Sequence, residues 1–153
     1  MILIGLFLVL LISFYQDLRF RGIQWFFFPL IMFFSILHNW DQFLDYNLYN
    51  LVFIAFCLGG LTIYLTIKEG RLVNITQGFF SWGDILILIA LSPLFTFERF
   101  VFFFTLGTIL TLILHLLTSL IVRQKTIPYA GYMALFTIAM LVFDSHLLKF
   151  IKL

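Results

Sequence analysis

Two aspartates sit where apolar runs meet polar connections. Asp17 closes the run MILIGLFLVLLISFYQD, and Asp84 opens the run DILILIALSP. A carboxylate at the border of a bilayer is costly unless water, a partner or a function holds it. Two carboxylates brought within a few ångströms cannot both ionise easily, so the pair retains a proton. The ionised member can then take a proton from water. The protonated member can polarise a peptide carbonyl and later help protonate the leaving amine. This is peptide hydrolysis without a metal or cofactor, and a low-dielectric border strengthens the coupling. Gly83, directly before Asp84, permits a close backbone approach or a positive φ. Either would admit an extended substrate strand.

Such a pair needs elements that bring it together. The chain has 153 residues, of which 63% are hydrophobic and 10% charged, and it contains 22 phenylalanines. A soluble domain of this size cannot hide that much apolar surface, so lipid is the expected solvent. The expected fold is all-α: a single polytopic domain over residues 1–153, with a bundle of about six transmembrane helices. Apolar runs place the spans near 1–16, 24–38, 48–67, 84–97, 99–122 and 131–149. The second and fourth are short for a bilayer. Trp25, Trp40 and Trp82 flank runs as interfacial residues do, and Pro29 and Pro93 fit helix ends. The N-terminus lacks a basic n-region and a small-residue cleavage site, so it reads as a retained first helix.

Charge sets the orientation. Arg19 and Arg21, Lys68 and Arg71, and Arg123 and Lys125 lie in the first, third and fifth connections, while HNWDQFLDYN has no Lys or Arg. Basic residues favour the cytoplasmic side, so odd-numbered connections are expected there, although Lys149 and Lys152 run against this. Asp17 and Asp84 then share one depth on the cytoplasmic side. Each also has an ordinary reading: Asp84 as a helix N-cap, and Asp17 as a solvated turn residue beside two arginines.

The segment SFYQDLRFRGI, around Asp17, resembles the first aspartate motif of type IV prepilin peptidases. SWGDILILIALSP, with Ser81, Trp82, Gly83 and Asp84, resembles that family's GxGD motif and the apolar helix after it. IPYAGYMAL, with Pro128 and Gly131, resembles the stretch before its last span. The order, spacing and six-span plan match over nearly the whole chain. The resemblance implies an aspartyl endopeptidase of the cytoplasmic (inner) membrane. Its substrate would be a membrane-docked, prepilin-like precursor with a short basic leader, cut at the cytoplasmic face by Asp17 and Asp84. Ser81 stands where the family has glycine, Leu86 where lysine is frequent, and Gln24 where proline follows isoleucine. The second proline of the last motif is missing. The family's cysteine-rich segment is absent too, so peptidase activity without methylation is expected. A non-catalytic assembly factor or inactive relative is the alternative. A presenilin-type protease is a third reading, but no Pro-Ala-Leu segment appears.

Other features have plainer readings. The formal charge of +2 and the lack of a basic cluster argue against nucleic acid. The single cysteine, Cys57, reads as a packing residue, and no HExxH or Cys/His spacing marks a metal site. Thr108, Thr111, His115 and Thr118 form a polar stripe that fits helix packing better than tuning of the aspartates. Ala55 and Gly59 permit a close helix contact. His38 and His146 read as interfacial, and Asp41, Asp45 and Asp144 as residues of the far side. Glu69 is a cytoplasmic charge that fits a solvated loop or attraction of a basic leader. Oligomeric state has no signature in the sequence.

Overall fold

The computed structural model describes residues 2–72, 81–121 and 127–151; for 41, 42, 44, 118–121 and 144–151 it describes the backbone. The described residues form six α-helices and no strand. They are α1 (Ile2–Phe20), α2 (Phe27–His38), α3 (Trp40–Glu69), α4 (Trp82–Leu91), α5 (Phe97–Ile121) and α6 (Tyr129–Ile151), with a 3-10 turn at Ser92–Leu94 after α4. Ile2–Phe20, Asp45–Glu69 and Phe97–Leu117 are long and apolar enough to cross a membrane. These three stretches make the chain a membrane protein by length and composition. Phe27–His38, Trp82–Leu94 and Tyr129–Phe143 are shorter apolar helices. The 12 residues of α2 rise only about 18 Å, less than a hydrocarbon core of about 30 Å.

Helix boundaries differ from the sequence expectation in two instructive places. α1 runs on past residue 16 to Phe20, so Asp17 is helical and not a turn residue. Its buried residues, Leu6, Val9, Leu10, Ser13 and Asp17, recur at helical spacing, which puts the carboxylate on the inward face. α3 begins at Trp40 and absorbs most of the polar stretch read as a connection. Its asparagines have internal partners that make this possible. Asn50 is fully buried and donates from Nδ2 to the carbonyls of Ser92 (2.8 Å) and Phe95 (2.9 Å). Asn39 donates to the Leu94 carbonyl at 2.8 Å, and the Ser92 hydroxyl donates to Asn47 Oδ1 at 2.6 Å. The carbonyls freed where α4 breaks at Pro93 are thereby satisfied inside the protein, as an apolar surround demands.

α1 packs against α6 and α2, and α2 against α4. Leu6, Leu10, Ile31, Ile87, Leu88, Leu91, Phe100, Phe103 and Met133 are fully buried at the centre. Aromatic rings knit α5 to its neighbours: Phe103 stacks on Phe95 (4.7 Å) and on Phe136 (5.5 Å), and Phe53 meets Phe104 edge-on. Small residues let helices close in. A Cβ at Gly5 would lie 2.8 Å from the Phe34 ring. The contact expected at Ala55 and Gly59 is not made within the described residues. Both are exposed on α3, and a Cβ at Gly59 would meet nothing within 4 Å.

Candidate active site

Three helix ends meet at one level: the last turn of α1 and the first turns of α4 and α6. Each supplies a part because of its local sequence.

At the start of α4, Ser81 is the N-cap. Its hydroxyl accepts from the Asp84 amide at 3.2 Å, and Asp84 Oδ2 accepts from the Ser81 amide at 2.8 Å. This reciprocal capping box satisfies two otherwise orphaned donors. Asp84 is therefore the third residue of the helix and not its N-cap, and Ser81 takes the capping role. Ser81 thus has a structural task of its own. Gly83 is helical without positive φ, and a Cβ there would find ordinary contacts at 3.5 Å and beyond. The positive φ expected as one possibility at Gly83 does not occur. Trp82 is exposed at the first helical position, and Leu86 points outward one turn later.

At the end of α1, Arg21 adopts the left-handed conformation (φ 55°) and donates its amide to the Asp17 carbonyl at 3.1 Å. This closes the helix with a non-glycine residue, a backbone state that carries strain. Gln24 then donates its amide to Gln16 Oε1 at 3.2 Å, a bond that a proline at that position could not make.

The first turn of α6 joins the two. Pro128 is buried at its N-cap, and its carbonyl accepts from Tyr132 at 3.1 Å. The Ala130 amide donates to Asp84 Oδ1 at 3.2 Å, and the next amide, Gly131, donates to Asp17 Oδ2 at 2.6 Å. Asp17 is 7% and Asp84 8% exposed. Amides at a helix start point outward along the axis and suit anionic partners. Gly131 is needed sterically, because a Cβ there would lie 2.9 Å from Asp17 Cβ and 3.0 Å from its Oδ2. Three main-chain amides donate to the two carboxylates: Ser81 and Ala130 to Asp84, and Gly131 to Asp17.

The other sequence candidates lie elsewhere. Thr108 sits 3.2 Å from the Tyr129 hydroxyl and donates to the Phe104 carbonyl, so it links α5 to the start of α6. Thr111 is buried, and His115 is half-buried on α5. Glu69 pairs with Arg71 at 3.1 Å on the surface. His38 and Asp45 are exposed. The side chains of Asp41, Thr118, Asp144 and His146, and residues Arg123 and Lys125, lie outside the described set. No group of metal-ligating side chains occurs among the described residues. Sequence reasoning did not pick out the Asn47–Asn50–Ser92 cluster or the Ala130 amide. Asparagines inside an apolar run signal the first, whereas a main-chain donor has no side-chain signature.

No family model, curated protein or solved structure matches the chain.

Proposed function

We propose that this protein is an integral membrane aspartyl endopeptidase of prepilin-peptidase type, with Asp17 and Asp84 as the catalytic pair. The observation that carries the reading is two buried carboxylates from separate helices held by consecutive amides of a third. Burial and proximity are what shared-proton chemistry requires. In the reaction, the ionised carboxylate takes a proton from water as its oxygen bonds to the peptide carbonyl carbon. The protonated carboxyl donates to the carbonyl oxygen. Collapse of the tetrahedral species breaks the C–N bond, and a carboxyl-held proton goes to the departing amine. No metal or cofactor has a role.

All six helices sit in the bilayer in this proposal, with α2, α4 and the apolar part of α6 spanning a locally thinned region. The aspartate end faces the cytoplasm, as Arg19, Arg21, Lys68 and Arg71 favour. The membrane is the cytoplasmic one. The substrate is a prepilin-like protein docked in it, with its apolar helix against the bundle and its leader at the cytoplasmic border.

The test is co-expression with prepilin-like proteins from the same genome, with leader removal scored by mass. Removal by the wild-type chain and not by Asp17→Asn or Asp84→Asn supports the reading; removal by both variants overturns it. A non-catalytic role is the second reading. The Ser81–Asp84 capping box favours it, since a cap accounts for that carboxylate structurally.

A further inference from the structure

We infer that Gly131 is a positioning residue whose missing Cβ lets the first turn of α6 act as a two-point main-chain template setting the spacing of Asp17 and Asp84. Its role in catalysis rests on the peptidase reading above; the template itself does not.

Consecutive Cα atoms are about 3.8 Å apart, so adjacent amides offer two donors at a fixed short separation. Ala130 engages one carboxylate and Gly131 the other. Neither aspartate could be held at this spacing by its own helix, since α1 and α4 contribute one each. The arrangement depends on α6 approaching α1 to within van der Waals limits. A Cβ at 131 would meet Asp17 Cβ at 2.9 Å and Oδ2 at 3.0 Å. The first of these atoms is fixed to the α1 backbone, so relief requires the two helices to separate. Ala130 needs no such exemption, because its own side chain is already accommodated in the core. The Tyr129 hydroxyl beside Thr108 on α5, and the Pro128 carbonyl bonded to Tyr132, tie down the same turn. The template is thus anchored on a third side.

Gly107→Ala serves as the packing control. Its Cβ would meet Met133 Sδ at 2.6 Å, so it crowds the α5–α6 contact without touching either carboxylate. In cleavage assays, Gly131→Ala is expected to lower kcat by roughly 10- to 100-fold with KM little changed, as misplacement of reacting groups by up to about 1 Å does. Gly107→Ala is expected to leave kcat within about twofold. Equal losses in the two variants overturn the positioning role.

A readout independent of cleavage uses the full-length, 15N-labelled protein in micelles. The Gly131 amide resonance should follow protonation of Asp17 and lose its main pH response in Asp17→Asn. The Ala130 resonance should behave likewise with Asp84→Asn. If neither amide responds to its partner's substitution, there is no template. If both respond but wild-type protein cleaves no prepilin-like substrate, the peptidase reading fails while the template stands.

Discussion

Asp17 and Asp84 accept hydrogen bonds from two amides that follow one another in the chain, Gly131 at 2.6 Å and Ala130 at 3.2 Å. A single helical turn thereby gathers side chains from α1 and α4. Asparagine at 17 keeps an oxygen for the Gly131 amide, whereas at 84 it keeps one acceptor for two amides, Ser81 and Ala130. Asp84→Asn therefore gives up one of these bonds, while the fold should persist. In the proposed mechanism either change removes a carboxyl from the proton-sharing pair. Asp17→Asn and Asp84→Asn are each expected to insert normally and to lose cleavage by at least about 10²-fold, the scale of one acid or base group. Membrane yield and substrate mass, measured side by side, check this.

Ser81 caps α4 through its hydroxyl. Ser81→Ala is expected to destabilise the protein by about 1 kcal/mol, whereas Ser81→Gly should cost only a few tenths, as glycine does at other N-caps. Melting temperatures in one detergent would rank them. Equal costs would show that the hydroxyl does not stabilise the helix start.

Asn50 donates to two carbonyls at the break after α4. Asn50→Leu leaves both without that donor and is expected to cost about 1–3 kcal/mol. Reversible unfolding in mixed micelles measures it. A neutral result would mean that water or another donor serves those carbonyls equally well.

Gly5 and Gly59 should behave in opposite ways. Gly5→Ala drives a methyl group against the Phe34 ring and is expected to destabilise by roughly 1–3 kcal/mol through overpacking. Gly59→Ala meets nothing nearby and should stabilise α3 by up to about 1 kcal/mol through helix propensity. Should Gly59→Ala instead destabilise, another surface covers α3.

Helix number and type were legible because apolar runs punctuated by charges are visible without packing information. The inward faces were not. In lipid the outer face is apolar as well, as exposed Ile4, Leu8, Phe56 and Ile67 illustrate, so hydrophobic periodicity fades. On α1 only Ser13 and Asp17, four residues apart and both buried, mark the inner phase. The start of α3 was missed because Asn39 and Asn47 look like connection residues until their partners at Leu94 and Ser92 are known. At the candidate site the two aspartates were legible by type and border position. Asp84 in sequence reads as a helix N-cap, whereas its spacing of three from Ser81 is that of a capping box in which Ser81 is the cap. The close approach of Gly131 to Asp17 was not legible, because adjacency to an aspartate in sequence says nothing about which backbone arrives from another helix.

The break at Ser92–Leu94 gives α4 a mechanical character. One end of this ten-residue rod is fastened through Asp84 to α6, and the other is gripped by asparagines from α3 and the turn before it. Sliding along its axis would rupture bonds at both extremities at once. Any rearrangement around the proposed peptide substrate should therefore be borne by α1 and α6, with α4 as the fixed reference against which they shift.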